Sequence, residues 1–173
     1  LVDIVPMFRT GTNGLASGFS FKEAYLSGLY EVIERDSITL WRYFHTSRNV
    51  PLSIIDLSSI PFASSNSLID RIIDAGLKIV IHNISSPFGL PVFKVLIAGD
   101  IDDSLSVYVG YGCHHTAEIA LNRGITEAAQ ARAVIISGSR EDVTDVVYSK
   151  SPSNYQDFLK LYNTSYVDNF TQV

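Results

Sequence analysis

The sequence predicts an α+β fold in which an antiparallel sheet packs against long helices. Three observations carry that prediction. Two long stretches, 21–44 and 116–136, repeat apolar residues at helical spacing. Between them lie three short runs rich in Val and Ile, as half-buried strands require. The connectors between those runs are too short for a crossover helix, and short connectors favour antiparallel pairing.

Composition narrows the class further. A chain of 173 residues fits one domain. With 46% hydrophobic and 18% charged residues it can build a core, which excludes a disordered tail, a collagen-like repeat and a low-complexity linker. The 13 Lys and Arg against 18 Asp and Glu leave a net charge of −5, so a nucleic-acid partner held by charge alone is not expected. Cys113 is the single cysteine, which excludes an intrachain disulfide and a Cys-rich zinc finger. No apolar run such as 95–99 approaches membrane-spanning length, and no basic segment leads into an apolar one. The expectation is a cytoplasmic domain with no membrane partner. Because the chain opens on Leu1, it reads as a piece of a longer protein.

In chain order, Leu1 to Phe8 has the β-branched character of a short strand. Gly11-Thr12-Asn13-Gly14 reads as a turn, prolonged to Gly18. Ser20 and Glu23 form a capping box that opens a helix from Phe21 to Phe44. Residues 47–67 are rich in Ser, Pro and Asn and read as a loop with short elements. A short helix from Ser67 to Ala75 is stopped by Gly76. Strands are expected at Lys78–Ile84, Pro91–Ala98 and Ser104–Val109, with turns at Ser86–Gly89 and Asp100–Asp103. A second long helix runs from Thr116 to Ile136 and closes at Ser137-Gly138. Past Val147 the chain is polar with scattered aromatics, suited to an extra helix docked on the sheet. There is no internal repeat.

The chemistry concentrates on the two long helices. Ser27, Glu31 and Glu34 share one stripe, with Arg35 beside them, opposite Tyr25, Leu29, Val32 and Leu40. That spacing predicts a buried apolar face and an outward row of a hydroxyl and two carboxylates. On the second helix Arg123, Glu127 and either Gln130 or Ala131 share a face headed by Ala120, opposite Leu121, Ile125, Ala128 and Ile136. By spacing alone each row is either a solvated face or one wall of a shared cleft. Glu31 and Arg35 stand in the favourable i,i+4 order, worth a few tenths of a kcal/mol. If the rows face each other, three carboxylates need a cation. Mg²⁺ suits oxygen ligands and keeps phosphate oxygens in its shell, while guanidinium groups pair with phosphate.

Other features are weaker. Gly11, Gly14 and Gly18 either cradle phosphate or form a flexible lead-in, and no Gly-Lys-Ser/Thr follows to make a Walker A loop. The third glycine of a dinucleotide fingerprint starting at Gly110 falls on His115, against a Rossmann site. Cys113-His114-His115 are consecutive, so they do not point at one zinc ion. His114 either touches a ligand or caps the second helix. His82 reads as a hydrogen-bonded core or sheet-face residue, and Trp41, Tyr43 and Phe44 read as core.

Two blocks resemble a known family. Thr12 to Gly18 followed by Ser27-x3-Glu31-x2-Glu34-Arg35 resembles the YcaO superfamily. The block from Gly110 through His114, Glu118, Ala120, Arg123, Glu127 and Gln130 to Arg132 is similar to that family's second nucleotide-site helix, and 136–142 extends the likeness. Its style is nearest to YcaO proteins that work beside a TfuA partner. The resemblance implies a YcaO-like fold and ATP- and Mg²⁺-dependent phosphorylation of a peptide backbone amide oxygen. An azoline or a thioamide then forms in peptide or protein modification. It implies that Glu31, Glu34 and Glu127 are metal ligands and that Ser27, Arg35, Arg123 and Gln130 contact nucleotide. The implied partners are a peptide or protein substrate, a TfuA-like or other YcaO partner protein, and a second copy in a homodimer. Many members carry a hydroxyl residue where Ala120 stands. Family domains are longer at both ends, so residues 1–173 are expected to form one partial domain. The alternative is a catalytically incomplete YcaO-like domain that binds a partner or substrate.

Overall fold

The computed structural model describes residues 11–48, 53–99, 107–137, 152–164 and 168–170. The predicted strand at Leu1–Phe8, the Asp100–Asp103 turn, positions 104–106 of the third predicted strand and the 138–142 stretch lie outside them. Among the described residues are four α-helices, α1 (Phe21–Arg48), α2 (Ala63–Asp74), α3 (Ala117–Ile136) and α4 (Pro152–Tyr162). Three strands, β1 (Lys78–Asn83), β2 (Val92–Ala98) and β3 (Val107–Cys113), form one antiparallel sheet in the order β1-β2-β3. The α+β class is therefore the observed one.

Alternation along the strands builds three layers. Phe93, Val95 and Ile97 pack with Ile79 and Ile81 against α2 and α3. The intervening Leu96 and Ala98 pack against Tyr155 and Phe158 of α4, and Val92 packs with Ile38 of α1. The tail thus contributes a helix docked on the sheet, as its aromatics suggest.

Local chemistry sets the boundaries. The Ser20 hydroxyl accepts the Glu23 N–H at 3.3 Å, and the Glu23 carboxylate reaches back to the Phe19 N–H at 2.9 Å, one residue earlier than the simplest capping box. α2 starts at Ala63, ahead of the expected Ser67, and Gly76 at φ 76° turns the chain out of it. Asp56 caps a short 3₁₀ helix at Leu57–Ser59 inside the predicted loop.

The largest departure in the sheet is β3. It continues through Gly110, Tyr111 and Gly112 to Cys113, past the predicted end at Val109. The reason is close packing. A Cβ on Gly110 would meet the carbonyl oxygen of Gly124, and one on Gly112 would meet that of Ala120. These glycines let α3 lie backbone to backbone on β3.

A second correction concerns α1. Its Tyr25, Leu29 and Val32, expected in the core, are 62%, 40% and 47% exposed. The helix is held instead through Ile33, Ile38 and Trp41 against Val92 and Cys113. Tyr43 and Phe44 are also exposed, and on α3 Ile136 is exposed while Ala120 is fully buried. No helix among the described residues is long and apolar enough to cross a membrane.

Candidate functional site

The inward rows of α1 and α3 meet beside β3. A cleft of about 380 Å³ is lined by Ser27, Tyr30, Glu31 and Glu34 of α1, Tyr111 and Cys113 of β3, and Arg123, Thr126, Glu127 and Gln130 of α3, with Ala16 at its mouth. Six of the seven residues singled out from the sequence are therefore together. The seventh, Arg35, does not line the cleft. It sits on the outer side of Glu31, with 3.9 Å between guanidinium and carboxylate. Its charge is still felt inside, lowering the pKa of both Glu34 and Glu127.

Three interactions position the walls. The Gly14 N–H donates to Glu31 Oε2 at 3.3 Å, tying the glycine turn to α1. Gly14 itself lies over Gly28, where any Cβ would meet the Gly14 carbonyl oxygen. The Arg123 guanidinium donates to the Cys113 carbonyl oxygen at 3.1 Å, and the Tyr111 N–H donates to the Glu127 carboxylate. So the glycine turn braces a carboxylate through its own backbone.

Electrostatics mark Glu34 as the strained member. Burial, then Glu127 and Glu31, push its pKa from the ordinary 4.5 to about 7, against the lowering pull of Arg35 and Arg123. Burial also raises Glu127, while the Tyr111 N–H and the two arginines pull it down. The Cys113 thiol is pushed up to about 11 by burial and by Glu34, which favours its protonated form.

Among the described residues no three His, Cys, Asp or Glu groups are drawn into a ready metal shell. The donor set nevertheless fits a hard divalent cation. It is all oxygen, and Glu34 and Glu127 repel one another in a partly buried place. Mg²⁺ commonly takes only one or two carboxylates and fills its octahedron with phosphate and water oxygens. A cleft with spaced carboxylates suits that better than a closed cage.

The histidines take structural places. His114 Nδ1 accepts the Thr116 N–H at 3.1 Å at the start of α3, which puts its proton on Nε2. His115 shares a 2.6 Å hydrogen bond with the Tyr30 hydroxyl. His82 is fully buried with Nδ1 3.3 Å from the Ser53 carbonyl oxygen, and burial takes its pKa to about 4. Sequence reasoning missed Tyr30 and Tyr111. The Gly-Tyr-Gly alternation was the available signal for Tyr111, since glycines facing a helix turn the residue between them to the other face.

The family model for YcaO cyclodehydratase, ATP- and Mg²⁺-binding, matches residues 2–169. The chain belongs to the YcaO family. That family binds ATP and Mg²⁺. A similar protein is the Rhizobium leguminosarum bv. trifolii protein named "uncharacterized protein in tfuA 3′ region", 36% identical over 84% of this chain and 36% of its own length. Among solved structures, the heterocyclase TruD is 27% identical over 84% of this chain and 20% of its own, with a TM-score of 0.61. YcaO from Methanopyrus kandleri, bound with AMPPCP and Mg²⁺, shares the fold at a TM-score of 0.68 and 20% identity, over 96% of this chain and 43% of its own. The chain thus spans about a third of the length of the curated relatives it matches.

Proposed function

We propose that this chain carries the nucleotide- and metal-binding core of an ATP-dependent enzyme that modifies peptide backbone amides. In this reading Glu31, Glu34 and Glu127 hold Mg²⁺, and Ser27, Arg35, Arg123 and Gln130 contact the nucleotide. Residues 1–173 are one part of a longer YcaO domain. The observation that carries the reading is the meeting of two rows, remote in sequence, in one cleft where Glu34 feels Glu127.

An amide oxygen is a poor leaving group, and phosphorylation makes it a good one. The amide oxygen attacks the γ-phosphorus, and ADP departs with the electron pair of the broken bond. A nucleophile adds to the activated carbon, and phosphate leaves carrying the former amide oxygen. A Cys, Ser or Thr side chain yields an azoline; external sulfide yields a thioamide. Bound Mg²⁺ supplies neutralisation of phosphate charge. The chain's own residues supply position: Arg123 is fixed by the Cys113 carbonyl, and Glu127 is held by the Tyr111 N–H. The proposed partners are a peptide or protein substrate and a TfuA-like protein, the latter suggested by the name of the Rhizobium relative.

Calorimetric titration with Mg·ATP tests the reading. Saturable, Mg²⁺-dependent heat is expected, followed by phosphate release once peptide and partner are added. No heat at millimolar nucleotide overturns it. One observation favours the second reading, a catalytically incomplete relative. Ala120 is fully buried against Gly112 and offers the cleft no hydroxyl. Nucleotide binding with no phosphate release under any pairing would select that alternative.

A further inference from the structure

A second pocket lies farther along the same stripe of α1. It encloses about 280 Å³ between the C-terminal half of that helix and the turn after β1, with Ser37, Trp41, Phe44, Asn83, Ser86 and Pro87 among its walls. Ser37 and Trp41 stand three and seven residues beyond Glu34, about 5 and 10 Å along the axis. An extended peptide advances roughly 3.3 Å per residue. A chain whose amide sits at Glu34 therefore reaches this pocket within two or three residues.

The lining is chemically unfinished. Ser37 and Ser86 are only 1% and 7% exposed, and neither hydroxyl has a hydrogen-bond partner among the described residues. Buried hydroxyls without partners are costly, so their natural complement is a ligand with its own donors and acceptors. Asn83 spends its side-chain oxygen on the Ser85 N–H and hydroxyl at 3.0 and 2.6 Å, leaving its amide nitrogen as a donor. The Trp41 ring is held in place by the His45 ring stacked at 5.5 Å and by Lys94 Nζ 3.9 Å from its centroid. Among the described residues no carboxylate lines the pocket, so a cationic ligand would find no counter-charge from them.

We infer that this pocket seats an uncharged residue of the peptide substrate, its side chain against Trp41 and its backbone amide on Ser37 and Ser86. This rests on the peptide-modifying reading above. It assigns the α1 stripe two tasks: phosphate chemistry at Glu31 and Glu34, and substrate register one to two turns later.

The test is photolabelling with N-acetyl-p-benzoylphenylalanyl-glycinamide, with cross-links mapped by mass spectrometry. The expected result is labelling within 37–45 and 83–87. Excess N-acetylphenylalanyl-glycinamide should suppress it roughly tenfold, as should Ser86→Leu, which fills the pocket. Phe44→Glu, at a position 47% exposed and tolerant of change, should weaken labelling without disturbing a buried group. Labelling elsewhere, labelling that resists both competitor and variants, or none at all overturns the assignment. The last is the outcome if water alone satisfies the serines. Mg·ATP titration of the unaltered chain runs alongside. Intact nucleotide binding without pocket labelling sinks the pocket alone; absent nucleotide binding sinks the functional reading, while the labelling still decides the pocket.

Discussion

Helices α1 and α3 carry similar rows of residues and use them in opposite ways. α3 buries Leu121, Ile125 and Ala128 against the sheet and brings Arg123, Glu127 and Gln130 to the cleft at its side. α1 leaves Tyr25, Leu29 and Val32 in solvent and turns Glu31 and Glu34 toward the same cleft. Periodicity tells that a helix has two faces; it does not tell which one the rest of the protein covers. Here the cover on α3 comes from glycines, which bring β3 into backbone contact. In its N-terminal half α1 uses its glycine, Gly28, to take the Gly14 turn rather than a strand, and it is anchored to the sheet farther on, by Ile38 and Trp41.

The contrast is open to direct attack. The largest effect is expected on the α3 side. Gly112→Val drives a side chain into the Ala120 carbonyl and the Gly124 backbone, and should cost about 3 kcal/mol in urea unfolding and abolish Mg·ATP binding. Leu121→Ala, in the same fully buried layer, should cost about 2–5 kcal/mol. A loss below about 0.5 kcal/mol in either would mean that α3 is not pinned as described.

Next comes the inward row of α1. Glu34→Gln should weaken Mg²⁺-dependent nucleotide binding by about tenfold or more while leaving the fold intact, because one carboxylate is lost. Equal affinity in calorimetry would remove Glu34 from the metal set. The same side chain predicts a pH dependence. Folded Glu34 keeps its proton up to about pH 7, whereas its ordinary value is 4.5. Between those values the folded state binds more protons than the unfolded one, so metal-free stability should fall as pH rises through that window. The loss is on the order of 1 kcal/mol once solvent screening is allowed for. Urea midpoints at pH 5 and pH 8 check it. Mg²⁺ should restore the loss, and Glu34→Gln should flatten the profile.

The smallest effect belongs to the outward row. Leu29→Lys should change the stability of this chain by no more than about 0.5 kcal/mol, since the position is already solvated. A large destabilisation would show that this face is covered after all.

Much of the site was legible in the sequence, because helical spacing is a local property. Ser27, Glu31 and Glu34 had to share a stripe once residues 21–48 became a helix, and Arg123, Glu127 and Gln130 likewise on α3. The strands were legible to within a few residues for the same reason: β-branched alternation is written in neighbours. The C-terminal end of β3 was not, since Gly110 and Gly112 carry no strand-favouring side chain and their role shows only when a helix is laid on them. The resemblance places Arg35 at the nucleotide, and what spacing could not tell is that its guanidinium lies beside Glu31 instead of lining the cleft, since adjacent helical residues point about 100° apart. The exposure of Tyr25 and Val32 was hidden for a different reason. Hydrophobicity reports what a side chain prefers, while burial depends on what stands beside it.

What the amino-acid order determined, then, is the set of elements, their two-faced character and the residue types each face offers. Only the tertiary structure decided which faces meet, that Glu34 and Glu127 share one cleft, and that α1 shows its apolar row to solvent. The physical reason is range. Propensity, capping and periodicity act within a few residues, whereas the coupling of two carboxylates about ninety positions apart depends on how β3 and α3 pack.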